Sequence, residues 1–353
     1  MAETARRAFV ATVVVGTVVV LALALWKLKL VVFLIFLAFT VSAAMRPGIE
    51  ALQRRRVPSG LGVLLHYVVL AALLGLFLWL VVPRALSQVD HAIRGVPTTQ
   101  EQLGEAAQNS KGVKHEVLLG LQKRLQNLPR ASEVVRPALT ITIAAFEILV
   151  AIFFVFAAAA YWIFERDRAI DYVCQLLPRS KRKIVRDTWL LIDLKLGSYV
   201  RGQALLIGIV GTILSLAFWA IGLPYWLLLG AFGGVVEIVP VIGPLAAGAL
   251  AIGVGLTKSV GVAIAAGVVV LAQRQLEDYL LAPRILGGAV GLSPLLVMIS
   301  VFASGILFGP VAVILAIPAV AVLTTLFDVI VRDKDPAAEE VPTVLFPAKE
   351  AER

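Results

Sequence analysis

The chain has 353 residues, 60% hydrophobic and only 16% charged, with a formal net charge of +9 and a mean hydropathy of +0.93. Soluble domains run nearer half apolar and a quarter charged, so this is not a soluble composition. Cys174 is the only cysteine, which excludes an internal disulfide and a thiolate metal cluster within one chain.

Several uncharged stretches exceed the roughly 18 residues that mark a membrane helix. Only helices and closed barrels satisfy their backbone in lipid. Barrel strands would alternate apolar and polar residues, and these runs are continuous. The expected fold is therefore all-α: a polytopic helical membrane protein of about eight transmembrane helices, with broken helices in its C-terminal half.

The first run, 8–25, follows Arg6 and Arg7. It is long for a signal peptide and leads into a second apolar run, so an uncleaved anchor helix is expected. The second run is 30–45. Residues 46–60 follow with four arginines against one glutamate. The third run, 61–82, has His66 as its one strongly polar residue, and Pro83 is expected to stop it. Residues 84–136 are polar, but Leu118, Leu121, Leu125 and Leu128 recur at three- and four-residue steps, which predicts an amphipathic helix. The fourth run spans roughly 139–164. A basic loop then carries Lys181, Arg182, Lys183, Arg186, Lys195 and Arg201. Run five is 204–222, and 225–256 has one charge, Glu237, in 32 residues. Run seven starts at 259–272. The last, 292–327, is uncharged over 36 residues but contains Pro294, Pro310 and Pro318. A continuous helix of that length would reach about 54 Å against roughly 30 Å of hydrocarbon. Each of the long runs must tilt, break, re-enter or fold into a hairpin.

These runs divide the chain into four parts: N-terminal transmembrane helices 1–3 (1–83), an extracytoplasmic amphipathic segment (84–136), transmembrane helices 4–8 with a cytoplasmic basic loop at 165–203 (137–328), and a flexible cytoplasmic tail (329–353). Eight spans put both termini on one side. The positive-inside rule places the basic loops and both termini in the cytoplasm, in an inner (plasma) membrane, and explains the net charge without nucleic acid. Long translocated loops escape that rule, so the eight Lys and Arg of 84–136 do not oppose it.

Ionisable residues within the spans are few: Glu147, Glu237, and the group Arg274, Glu277 and Asp278. A charge at mid-membrane costs about 3 kcal/mol or more, which makes such residues candidates for function. Pro240 and Pro244 remove two backbone donors beside Glu237, and Gly233, Gly234 and Gly243 permit close approach. Backbone freed at membrane depth survives only inside protein or facing water, so Glu237 beside a broken helix has the form of a transporter's substrate or ion site. The same residues also fit a structural carboxylate paired with an arginine or a backbone group, or one near the interface. Arg274 shares a helix face with Glu277 and Asp278, so an internal ion pair is available. Pro283 and Arg284, then Gly287 and Gly288, are expected to end that helix; an interfacial helix end with Arg284 and Tyr279 at the headgroups is the plain alternative. Glu147 lies near a span end, within snorkelling distance of the surface. A short internal echo, Gly-Leu through proline to Gly-Pro, links 222–248 with 291–313 and hints at repeated broken helices.

No catalytic residue or cofactor is expected. GxSxG, HExxH and P-loop patterns are absent, and the three histidines are scattered without metal-ligand spacing.

Three ordered blocks carry a family resemblance: "LLPRSKRKIVRDTWLLIDLKLGSYVRGQALL", "GLPYWLLLGAFGGVVEIVPVIGPLAAG" and "QRQLEDYLLAPRILGGAVGLSPLLVMISVFASGILFGPVAVILAIPAVAVL". Together they resemble the autoinducer-2 exporter family, or PerM-like permeases, over 46–327. The resemblance implies an eight-helix inner-membrane transporter, with efflux of small polar molecules in some members and cation/proton antiport in others. Carried over by position, its motif residues are Pro178, Tyr199, Gly202, Gln203, Gly222, Pro224, Glu237, Pro240, Gly243, Pro244, Glu277, Pro283, Arg284, Gly291, Pro294, Gly309 and Pro318. Asp278 stands where an amide is commoner, which adds a charge.

The expected function is a secondary transporter exporting a small polar solute, such as an autoinducer-2-like signal, with coupling to H+ or Na+. Its expected substrate or ion site is Glu237, Pro240, Gly243, Pro244, Arg274, Glu277, Asp278 and Arg284, with no metal. A cation/proton antiporter and a non-transporting scaffold or channel-like homo-oligomer are the alternatives. Membrane lipid is the expected surrounding and nucleic acid is not a partner.

Overall fold

In the computed structural model, residues 2–94, 131–286, 291–339 and 341 are described. Among them the chain is helical throughout, without strands. The helices are α1 (Ala2–Lys27), α2 (Lys29–Arg54), α3 (Ser59–Arg94), α4 (Ala131–Gln175), α5 (Arg179–Ala220), α6 (Trp226–Val236), α7 (Ile242–Lys258), α8 (Val260–Leu276), α9 (Ala282–Ile285), α10 (Pro294–Phe308) and α11 (Ala316–Val331). Six helical stretches among the described residues are long and apolar enough to cross a membrane, and α6, α7 and α10 are shorter apolar helices. Much of the apolar surface on α2, α3, α4 and α8 is exposed, as lipid-facing helices require. The chain is a multi-pass membrane protein.

The long apolar runs are both divided. At 225–256, α6 and α7 are separated by a turn at 237–241; at 292–327, α10 gives way at Gly309 to a 3-10 turn (Pro310–Leu315) before α11. With 11 residues, α6 reaches only about 16 Å. The divided helices fold back: Gly233 lies opposite Ala247 and Gly305 opposite Val313. Gly-Pro and Ser-Pro steps mark the boundaries. Ser293 caps α10 by accepting from Leu296 N–H, with Pro294 in the first turn, where a missing donor is harmless.

One sequence expectation changes and another gains detail. Pro83 does not stop α3, which continues to Arg94; a proline within a helix removes one hydrogen bond without obliging the chain to turn. Pro283 falls inside the helical run, which ends two residues later at Ile285, just before Gly287. A π turn (Glu277–Leu281) intervenes, the Ala282 N–H donating to the Glu277 carbonyl, and Pro283 then sits in the first turn of α9. The wider turn takes the proline where a regular helix would lose its i−4 bond. The amphipathic helix expected around Leu118–Leu128, the residues Gly287 and Gly288, and most of the tail fall outside the described residues.

The main core lies where α5, α6, α7 and α8 meet, around Val210, Leu214, Phe218, Leu223, Leu229, Ala251 and Ala266. Small residues let the backbones close. A Cβ on Gly234 would strike Gly211 and the Ile207 carbonyl of α5, the close approach that small residues allow between membrane helices. A second layer joins α2 to α4 through Ala38, Val155 and Ala159, and α2 to α3 through Met45, Ile49 and Val63.

Candidate functional site

Helix α6 ends at Val236, and Glu237 occupies its C-cap. Pro240 follows in the turn, and Val241 takes φ 68°, ψ −53°, with Ile242 N–H donating to the Pro240 carbonyl at 2.7 Å. That is a γ-turn of the rare, strained hand, and a β-branched residue at positive φ adds to the strain. Gly243 is required by packing: a Cβ there would overlap the Val236 carbonyl. Pro244 is the third residue of α7. It therefore opens a helix rather than breaking one, since first-turn N–H groups have no intrahelical partner.

The π turn after α8 faces this break. Arg274 Nη1 lies 3.3 Å from Glu237 Oε1 and 3.3 Å from Glu277 Oε1. Its Nη2 lies 2.8 Å from Asp278 Oδ1, and its Nε donates to Asp278 Oδ2 at 3.0 Å. Gln273 Nε2 donates to Glu277 Oε2 at 2.9 Å. From α5, Gln203 Nε2 donates to the Glu237 backbone carbonyl at 3.0 Å, covering an acceptor at the end of α6. Glu237 and Glu277 are each 5% exposed, whereas the Arg274 side chain is 32% exposed. The two buried acids thus hold one guanidinium, whose other edge reaches the surface through Asp278.

The expected ion pair of Arg274 with Glu277 and Asp278 is present, and Glu237 joins it from the opposite break. Pro240, Gly243 and Pro244 shape that break without carrying charge. Arg284 is exposed on α9 and makes no ion pair with the cluster among the described residues. Glu147 is exposed on α4 and apart from it. Gln273 was not among the expected residues, although its position four before Glu277 puts both on one helix face. The bond from Gln203 to a carbonyl 34 residues away had no local sequence signal. Val241 had none either, because valine ordinarily avoids positive φ.

The depth of the cluster is informative. Gln203 lies at the junction between the charged half of α5, ending at Arg201, and its apolar half, 204–220. Glu237 is held at that level, so the cluster lies toward the basic end of the apolar layer and not at its middle. Partial access to water lowers the expense of the charges. The turn itself packs on the other divided run: Val239 touches the group of Val301, Val313 and Ala316, and a 20 Å³ cavity separates Pro240 and Val241 from Val297, Met298 and Phe302. The two broken segments meet here.

Residues 15–332 match the sequence model described as AI-2E family transporter. The chain belongs to the AI-2E transporter family. It is 28% identical over 308 residues to the Bacillus subtilis protein named "Putative transport protein YrrI", covering 84% of this chain and 86% of that one. It is 28% identical over 334 residues to the Mycobacterium tuberculosis protein named "Putative transport protein MT0215", covering 90% and 88%. A second Bacillus subtilis protein, "Putative transport protein YueF", is 28% identical over 303 residues, covering 80% and 79%. As a member of this family, the chain is a membrane transporter. The Glu237 turn, the π turn and the Gly309 break all lie within the matched residues.

Proposed function

We propose that this AI-2E family transporter is a secondary exporter of a small polar solute, of the autoinducer-2 kind, in which Glu237 accepts the coupling proton or cation. The observation that carries this reading is one guanidinium, Arg274, held 3.3 Å from both Glu237 and Glu277 between a helix break and a neighbouring π turn. Three carboxylates surround that single cation, so the cluster has negative charge in excess and attracts protons or cations. A proton on Glu237 weakens its hold on Arg274, which Glu277 and Asp278 retain. The strained 237–241 turn is then less tightly tied to α8 and shifts against the second divided run. That links ion loading to movement of the broken segments, the elements that change in alternating access.

The basic segments at 46–60 and 165–203 support a cytoplasmic location for that end of the helices and for both termini, in the plasma membrane, with the segment between α3 and α4 outside. The cluster then lies at the end where solute is taken up for export, and where a coupling ion that entered from outside is released in exchange. The excess of carboxylate also favours a second reading, exchange of Na+ for H+, in which the cation is itself the cargo.

Counterflow in proteoliposomes tests both. Saturable exchange of labelled autoinducer-2 that varies with pH, and that falls at least about tenfold in Glu237→Gln, is the expected result, the fall being about 1.4 kcal/mol of lost coupling interaction. Exchange by Glu237→Gln at the native rate across all pH values would refute the coupling role. Sodium-driven proton movement without solute exchange selects the antiporter, and neither activity selects a scaffold.

A further inference from the structure

Away from the Glu237 cluster, a groove of about 530 Å³ runs between the start of α2 and the α10–α11 pair. Its volume falls in the range of sites that hold small molecules, about 300–1,000 Å³. The walls are apolar, with Phe33 and Phe36 on one side and Phe308 on the other, and Lys29 is the one charged residue lining it. Trp26 closes the same end: its ring lies 6.1 Å from that of Phe308, and Lys29 Nζ is 5.2 Å from the Trp26 ring centroid. Among the described residues Lys29 has no carboxylate partner, and the half-buried Ser304, one turn before Phe308, also lines the groove.

Trp26, Lys27 and Lys29 cluster about Leu28, the one residue between two apolar helices, and tryptophan and lysine anchor at membrane surfaces, so this end of the groove lies at one. It is the surface opposite Arg54, Arg55 and Arg56, which end α2 and follow it. Leu30, Phe308 and Val311 are exposed around the groove, so it opens toward lipid and not toward water. A long apolar trough with a single cation at its surface end is complementary to an amphiphile with an anionic head. A small polar solute would leave its own polar groups unpaired along those walls.

We propose that this groove is a binding site for an anionic phospholipid, one acyl chain lying along Phe33, Phe36 and Phe308 and the phosphate at Lys29. The Ser304 hydroxyl, one turn deeper (about 5.4 Å), is placed to donate to an ester carbonyl. A lysine at the mouth of an apolar groove attracts an anionic headgroup by direct Coulomb interaction, strengthened where water is displaced. The site does not depend on the transport reading, because it involves none of the Glu237 cluster.

The test is native mass spectrometry of the delipidated full-length protein in non-ionic detergent, with dioleoyl phosphatidylglycerol or dioleoyl phosphatidylcholine added. The expected result is retention of phosphatidylglycerol about fivefold over phosphatidylcholine, the worth of one lysine beside an anionic group. Lys29→Ala removes that preference and Lys29→Arg keeps it. Ala312→Trp, which fills the trough, releases both lipids while the protein elutes unchanged on size exclusion. Millimolar inorganic phosphate does not compete, since it lacks the chain. Equal retention of the two lipids, an unchanged preference in Lys29→Ala, undiminished lipid on Ala312→Trp, or competition by phosphate each overturns the proposal.

Discussion

Two buried charge networks lie along α5, and they are built differently. Where its apolar half begins, Gln203 bonds the Glu237 carbonyl, and Glu237 shares Arg274 with Glu277 between a helix break and a π turn. In its charged half, Asp193 bonds Arg166 of α4 and lies 3.6 Å from Arg46 of α2, which pairs with Glu50 at 2.7 Å. The second network is carried by continuous helices and ties α2, α4 and α5 together, with Pro47 accommodated inside α2 between Arg46 and Glu50. Beside Glu50 is a cavity of about 10 Å³, the room of one water molecule. The first network sits on a γ-turn and a π turn, with a surface-reaching arginine between its buried acids. The contrast teaches that buried charge occurs both on continuous helices and where the backbone departs from them, and the proposed coupling concerns only the second kind. Charges on regular helices can only hold or let go, whereas charges at two breaks can hand over a partner while the backbone shifts.

That contrast can be broken by substitution. Arg274→Ala leaves Glu237 and Glu277 buried without their cation. A loss of about 3–5 kcal/mol is expected in thermal unfolding in detergent, together with loss of counterflow; retained transport by the folded fraction would remove the distinction. Asp193→Ala strands Arg166 and is expected to lower stability by a similar or slightly smaller amount, again about 3 kcal/mol. Its counterflow per folded molecule should stay within about twofold, a change of about 0.4 kcal/mol at most. A fall in specific activity as large as that of Arg274→Ala would make both networks part of one mechanism.

Smaller effects sharpen the comparison. Gly234→Leu overpacks the contact of α6 with Gly211 and should cost about 1–3 kcal/mol, read as a lowered melting temperature. Gln273→Leu removes one hydrogen bond to a buried carboxylate and should cost about 1–2 kcal/mol, with a change in the pH profile of transport. Val241→Gly relieves the positive-φ strain and is expected to raise stability by up to about 1 kcal/mol. Unchanged stability would show that the turn carries no stored strain.

Much of this architecture was legible in the sequence. Apolar runs of span length required helices, because hydrocarbon offers no partner for backbone N–H and C=O groups. Pro240 and Pro310 stand in the long runs where the helices divide, each lacking the N–H that a continuing helix would use. Arg274 was visibly within reach of Glu277 and Asp278, since three- and four-residue steps share a face. Pro83 misled because a proline forbids one hydrogen bond and not a direction, while the π turn before Pro283 depends on neighbouring packing.

The sequence by itself therefore determined the helical membrane class, the positions where helices could break and the few charges available inside them, all consequences of backbone solvation and local periodicity. Only the tertiary structure decided that Glu237 shares Arg274 with Glu277, that Gln203 holds the end of α6, and that the cluster lies toward the basic end of the apolar layer. It also decided that the two broken segments pack together and that Lys29 stands beside an apolar trough. Those outcomes join residues tens to hundreds of positions apart. They follow from how closely glycine-lined helices approach one another, which no local pattern encodes.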